Sequence, residues 1–154
     1  AVYREGRERE GWVRGPRNTA GKTSPLLVPY AELPEEFKES NRTSVRNIPN
    51  KLAATGYVMV PARGSEGPFT LPDQDLEQLA HLEHDRWLAD RLALGFTLGE
   101  PTSLDPKRSP HLVEWERLPD DVKQIDRELV RGIPSILARA GYTVVPLRTR
   151  PEKP

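Results

Sequence analysis

Residues 109–146 read SPHLVEWERLPDDVKQIDRELVRGIPSILARAGYTVVP, and residues 24–61 read SPLLVPYAELPEEFKESNRTSVRNIPNKLAATGYVMVP. The two align without a gap at a spacing of 85, and 18 of the 38 positions are identical. Self-similarity on this scale marks a duplicated structural unit. Upstream, Gly11-Trp12 and Gly15 match Gly95-Phe96 and Gly99 at a spacing of 84, so one residue separates the two frames. The chain is a tandem of one unit.

The second copy shows what the unit is. Pro72-Asp73 opens a helix whose apolar positions Leu76, Leu79, Ala80, Trp87, Leu88, Ala93 and Leu94 keep helical spacing until Gly95. A loop marked by Pro101, Pro106 and Pro110 follows, with an extended piece at Leu112-Val113. Pro119, Asp120 and Asp121 suit the start of a second helix, where a missing N–H costs nothing and acids face the positive end of the helix dipole. Val122, Ile125, Leu129, Val130, Ile133, Ile136, Leu137 and Ala140 are its buried face, Gly141 its cap, and Tyr142 to Val145 a strand closed by Pro146. Pro134 inside that pattern should kink or split the helix, as Pro49 should in the first copy.

The expected fold is therefore mainly α with short β-strands (α+β): two helix–loop–helix–strand repeats related by a pseudo-two-fold axis. Residues 1–61 form the first repeat, 62–71 a linker, 72–146 the second repeat and 147–154 a tail. Ala1 falls in mid-course of the first repeat's leading helix, leaving Val2 to Glu10 of it; a trimmed chain and a natural start after removal of Met both fit.

Composition narrows the function. The 154 residues carry 23 Lys plus Arg and 23 Asp plus Glu, so no overall field draws in a nucleic-acid polymer or an anionic membrane. The absence of cysteine removes disulfide scaffolds, thiol nucleophiles, zinc ribbons and iron–sulfur clusters. There is no apolar run of membrane-span length and no signal-peptide pattern, which points to a cytoplasmic protein.

The string Leu82-Glu83-His84-Asp85-Arg86-Trp87, followed by Gly95-Phe96, Gly99, Ser109-Pro110-His111-Leu112-Val113-Glu114-Trp115, Leu118-Pro119, Ile133-Pro134 and Gly141-Tyr142, resembles the ryanodine-receptor repeat (RyR) domain. Gly11-Trp12-Val13-Arg14-Gly15-Pro16 and Ser24-Pro25-Leu26-Leu27-Val28-Pro29-Tyr30 are similar to the same pattern. The resemblance implies a tandem pair of the stand-alone bacterial or phage type, with two antiparallel helices per unit. It also implies a cytosolic sensor role, in some relatives linked to nucleotide signalling, and no catalytic residues. With no channel segment, calcium conduction does not carry over.

Several local patterns are bland. Gly21-Lys22-Thr23 has Pro16 where a phosphate loop needs its first glycine. His81 and His84 lie three apart on the leading helix but lack the remaining ligands of a metal site. No Ser–His–carboxylate set can be assembled, so no catalytic residue, metal or cofactor is expected.

The constellation with chemical content comes from the repeat. Trp87 corresponds to Tyr3 and Arg91 to Arg7, so in each copy an aromatic precedes an arginine by four residues on one helical face. Two rings facing across the pseudo-two-fold could hold a planar base while two guanidiniums hold phosphate or carboxylate oxygens. His84 and Trp115, near the same end of the unit in the family pattern, are secondary ligand-binding candidates. A second matched set, Lys38, Arg42 and Arg46 against Lys123, Arg127 and Arg131, is expected to include a residue that joins the copies or lines the cleft. The function this predicts is a non-enzymatic module that senses or sequesters a nucleotide or nucleotide-derived signal between the repeats. A protein-interaction module without a small ligand, docking a protein partner or a second copy as a homo-oligomer, is the alternative; a nucleotide-processing enzyme with His84 as acid or base is a third.

Overall fold

Proline and glycine punctuate both units at matched places, and the elements fall between them. The computed structural model describes residues 7–9, 11, 13–14, 23–24, 28–67, 69–102 and 104–147. In chain order they form β1 (Val13–Arg14), β2 (Thr23–Ser24), α1 (Glu35–Arg46), α2 (Ile48–Ala54), β3 (Tyr57–Pro61), α3 (Asp73–Ala93), β4 (Thr97–Leu98), β5 (Arg108–Ser109), α4 (Asp120–Arg131), α5 (Ile133–Arg139) and β6 (Tyr142–Pro146). A helical turn covers residues 7–9, and short 3₁₀ turns cover Tyr30–Glu32 and Trp115–Arg117.

The carbonyls of Pro34 and Pro119 accept the first N–H groups of α1 and α4. The second helix of each unit is split, into α1 and α2 and into α4 and α5, with Pro49 and Pro134 in the first turn of the later piece. A proline there removes no helical hydrogen bond, whereas in a continuous helix it would. Gly56 and Gly141 then adopt φ near +85°, a left-handed conformation that turns each chain from helix into strand.

Leu112-Val113 forms no strand ladder; the short parallel pairings are β1 with β2 and β4 with β5. Leu112 is instead drawn into the interior, and the Val113 carbonyl accepts a hydrogen bond from His84 Nε2 at 2.7 Å. That carbonyl is therefore taken up by a side chain and is not offered to a strand.

The two copies join through β3 and β6, which pair antiparallel from Tyr57 opposite Pro146 to Pro61 opposite Tyr142. Met59 faces Val144 at the centre, and these are the same position of the two copies, so the pseudo-two-fold axis passes between them. The ends obey the same symmetry: Ala62 N–H donates to Gly141 O and Leu147 N–H to Gly56 O, each at 2.8 Å. Around this ribbon Ile48, Leu52, Leu79, Val130, Ile133, Leu137 and Trp115 form one core drawn from both copies. The linker is exposed over 62–67, tethered by the Glu66 carboxylate, which accepts from the Arg63 and Gly64 N–H groups. Its end is anchored: Leu71 is buried and Phe69 meets the Tyr57 ring edge-on at 5.6 Å.

A second inter-copy tie is ionic. Glu83 on α3 is 2% exposed and Lys51 on α2 3%, and they meet at 2.5 Å. Arg86 closes on the same carboxylate from one turn along α3, and Ser44 Oγ donates to it from α1 at 2.9 Å. Burial alone would raise the Glu83 pKa, but Arg86 and Lys51 hold it below the usual carboxylate range. Removing one member of such a buried set leaves the rest uncompensated. We expect Lys51→Ala to cost about 3–5 kcal/mol in urea denaturation. Arg46→Ala, which breaks a solvated pair with Glu39, should leave the urea midpoint in place.

Candidate functional site

Because the strand ribbon lies on the axis, the helices that lead into its two strands face one another at matched positions. Between them is a cavity of about 380 Å³. Its walls include Phe37, Ser40, Asn41 and Ser44 from α1, and Val122, Ile125, Asp126 and Leu129 from α4. Each of the first four is the counterpart of one of the second four, 85 residues on. Val45 with Val130, Ile48 with Ile133, and Lys51 with Ile136 complete seven matched pairs. The lining is symmetric in position but not in chemistry: the first copy presents hydroxyls, an amide and an ammonium where the second presents mostly aliphatic side chains.

The sequence candidates divide around this cavity. Arg7, His84, Trp87 and Arg91 all line it. Tyr3 lies outside the described residues. Trp115 does not line the cavity; it is 6% exposed in the core, stacked on His81 with ring centroids 5.6 Å apart and 6.1 Å from the His84 ring. Its place is behind His84 because the 3₁₀ turn at Trp115–Arg117 packs against α3, so it supports the imidazole that reaches the cavity.

Trp87 is half-buried, with the His84 ring 5.6 Å away and nearly parallel to it. The Arg91 guanidinium lies 4.6 Å from the Phe37 ring centre, 5.2 Å from Phe96 and 5.7 Å from Trp87. Three rings contributed by both copies thus fix one cation at the cavity wall. Such ring contacts restrain the side chain and hold its charge at the cavity wall.

The matched basic stripe serves another purpose. Lys38 and Lys123 lie over Tyr30 and Trp115, which are themselves counterparts, at 5.8 and 5.3 Å. Arg42 pairs with Glu35, and Arg127 with its counterpart Asp120 and with Glu77. Arg46 pairs with Glu39. None of these six contacts crosses between copies, and none of the stripe's six cations borders the cavity. Their retention through duplication follows from a repeated local packing within each unit.

The acidic groups were not visible from sequence. Asp126 borders the cavity with its side chain 17% exposed. Burial first, and the nearby Glu83 charge second, push its pKa from 3.8 to about 7, against opposition from Arg86, Lys51 and Arg7. His84 Nε2 carries hydrogen toward the Val113 carbonyl, which can only accept, and Nδ1 faces Asp126 Oδ2 at 3.7 Å, beyond hydrogen-bond range. His111 also lines the cavity. Among the described residues no cluster of three His, Asp or Glu side chains is placed to hold a metal ion, and no helix is long and apolar enough to cross a membrane.

The family model described as RyR domain matches residues 2–61 and 72–146. The two matched segments are the two units that meet at the cavity.

Asp126 gives this site a measurable signature. A carboxyl whose pKa is higher folded than unfolded holds its proton more tightly in the native state. Its ionisation therefore weakens the fold progressively as pH rises from about 4 to about 7, and the full cost is present above that. We expect Asp126→Asn to raise the melting temperature by several degrees at pH 8, with the gain shrinking toward zero near pH 4 in paired thermal melts.

Proposed function

The chain belongs to the RyR domain family, and from that premise together with the cavity we propose that it is a non-enzymatic binding module for a nucleotide or nucleotide-derived signal. The observation that carries this reading is the cavity itself, walled by matched positions of both units and bordered by the repeat-related arginines Arg7 and Arg91. A ligand seated there touches both copies, so binding it is linked to how the two units sit together. The module would act as a sensor subunit or as a sequestering protein.

The chemistry of the wall supports an anionic, heteroaromatic ligand. Arg91 is held on three aromatic rings and so loses little side-chain freedom when its N–H groups engage phosphate oxygens. Trp87 and Phe37 offer ring surface, and a base stacked on an aromatic side chain contributes about 1–3 kcal/mol. The aliphatic wall from α4 suits the apolar faces of a base or sugar, and the volume lies within the range of small-molecule pockets, about 300–1,000 Å³. A cytoplasmic location, with no membrane and no nucleic-acid polymer as partner, fits the same reading.

The test is a thermal-shift screen with mononucleotides and cyclic nucleotides. A ligand at 100 times its Kd adds about 2.7 kcal/mol, and product analysis of each hit checks that the ligand is released unchanged. We expect Trp87→Ala, in a variant shown to be folded by circular dichroism, to weaken calorimetric affinity about 10- to 100-fold. Arg91→Ala should weaken a nucleotide more than the corresponding nucleoside, because only the nucleotide loses a charge-assisted bond. Unchanged affinity in folded Trp87→Ala would reject the cavity as the site, and no stabilisation by any nucleotide would favour a protein partner.

A further inference from the structure

We propose that the two arginine ends of the cavity are not equivalent: the ligand's one anionic group sits at Arg91, which Phe37 of the other copy holds in position, and Arg7 is not an anion site. The inference rests on the nucleotide reading above. It adds which end takes the phosphate, and so a ligand class, a mononucleotide with a single charged end.

The pseudo-two-fold makes the two ends directly comparable. Arg91 lies over Phe37 of α1, and at 4.6 Å this is the shortest of its three ring contacts. The counterpart of Phe37 on α4 is Val122, which borders the cavity at the matched place. An aliphatic side chain has no ring quadrupole to hold a guanidinium. The ring contributed from across the axis therefore exists at one end and not at the other.

Charge divides the ends in the same sense. Asn41, one turn on from Phe37, borders the cavity from α1; its counterpart on α4 is Asp126, which the Arg7 charge faces. Glu128 also borders the cavity from α4, where α1 has the uncharged Thr43. Among the described residues α1 brings no carboxylate to the cavity. A phosphate at Arg7 would compete with the α4 carboxylates for one guanidinium and be repelled by them. At Arg91 the facing helix offers an amide, which can donate to a phosphate oxygen. Lys51 and Arg86 also border the cavity, but both are engaged by Glu83. Phe37 acts through Arg91: a cation already restrained by a ring loses less freedom when it takes up an anion.

Calorimetric titration of the whole chain with AMP and with adenosine isolates the phosphate's share as the ratio of the two affinities. At pH 8 the phosphate monoester is fully ionised, and Asp126, with its pKa of about 7, is charged. Arg91→Ala should lower the ratio at least tenfold and Arg7→Ala less than threefold. Phe37→Leu should lower it about three- to tenfold and Phe37→Tyr should leave it in place. Adding Phe37→Leu to Arg91→Ala should lower it no further, since the ring works through the arginine. Phe37→Met, which fills similar space without a ring, takes the place of Phe37→Leu if circular dichroism shows the latter unfolded. Cyclic di-AMP, which has a phosphodiester for each arginine, should bind more weakly than AMP. A wild-type ratio near one, equal losses at Arg7 and Arg91, an unchanged ratio in the folded ringless variant, or tighter binding of cyclic di-AMP overturns the inference while the nucleotide reading stands. If no nucleotide binds wild type, both fall.

Discussion

Ten residues hold the arrangement in place. The antiparallel pairing of β3 with β6 puts Met59 opposite Val144, and because these are equivalent positions, every other equivalence follows. A slip of one residue would turn each strand's inward side chains outward and carry the axis off the midpoint. Tyr57 makes the register costly to change: it is 9% exposed and its hydroxyl donates to the buried Asp75 carboxylate at 2.6 Å. The matched lining of the cavity is thus a geometric result of one strand register, and it owes nothing to any special property of the helices that form it.

Within that symmetric frame the two copies have taken different chemical parts. Lys51 stands where the second copy has Ile136, and Ser44 where it has Leu129. Those two first-copy residues turn toward Glu83 on α3 of the second copy, which Arg86 also holds. A buried ion set of this kind is weak as a source of net stability, since desolvation offsets most of the attraction. Its stronger effect is on specificity: displacing α3 from α2 would strand a carboxylate or an ammonium out of water. The clasp therefore fixes how α3 sits beside the first copy, and with it the cavity wall that bears His84, Trp87 and Arg91.

Much of this was legible in the residues. The 85-residue spacing, Pro134 and Pro49 as helix breakers, Gly141 and Gly56 as exits into strands, and the pseudo-two-fold itself all follow from local backbone chemistry or from identity between the copies. The shared face of Arg7 and Arg91 was legible for the same reason, since a match between copies points at what the axis brings together. Trp115 does not border the cavity because a place near the same end of the unit as His84 says nothing about which side of that histidine an aromatic occupies. Asp126 and Lys51 were hidden by the opposite effect: a site that differs between copies does not announce itself by comparing them. Their roles depend on long-range burial, which no spacing encodes.

The pairing of equivalent positions across an axis is also the geometry of an isologous dimer, in which one patch meets its own copy. A single unit of this fold carries all the backbone needed to make the ribbon with a second unit like itself. Joining the two in one chain replaces a bimolecular encounter by an intramolecular one, at an effective concentration in the millimolar range for a short flexible connection. It also removes a constraint on change. In a dimer of identical chains a lysine at the place of Lys51 would appear on both walls, and so would an acid at the place of Asp126. In the tandem each wall varies alone, and a cavity that began with two equal sides can acquire a direction, holding an unsymmetrical molecule one way round.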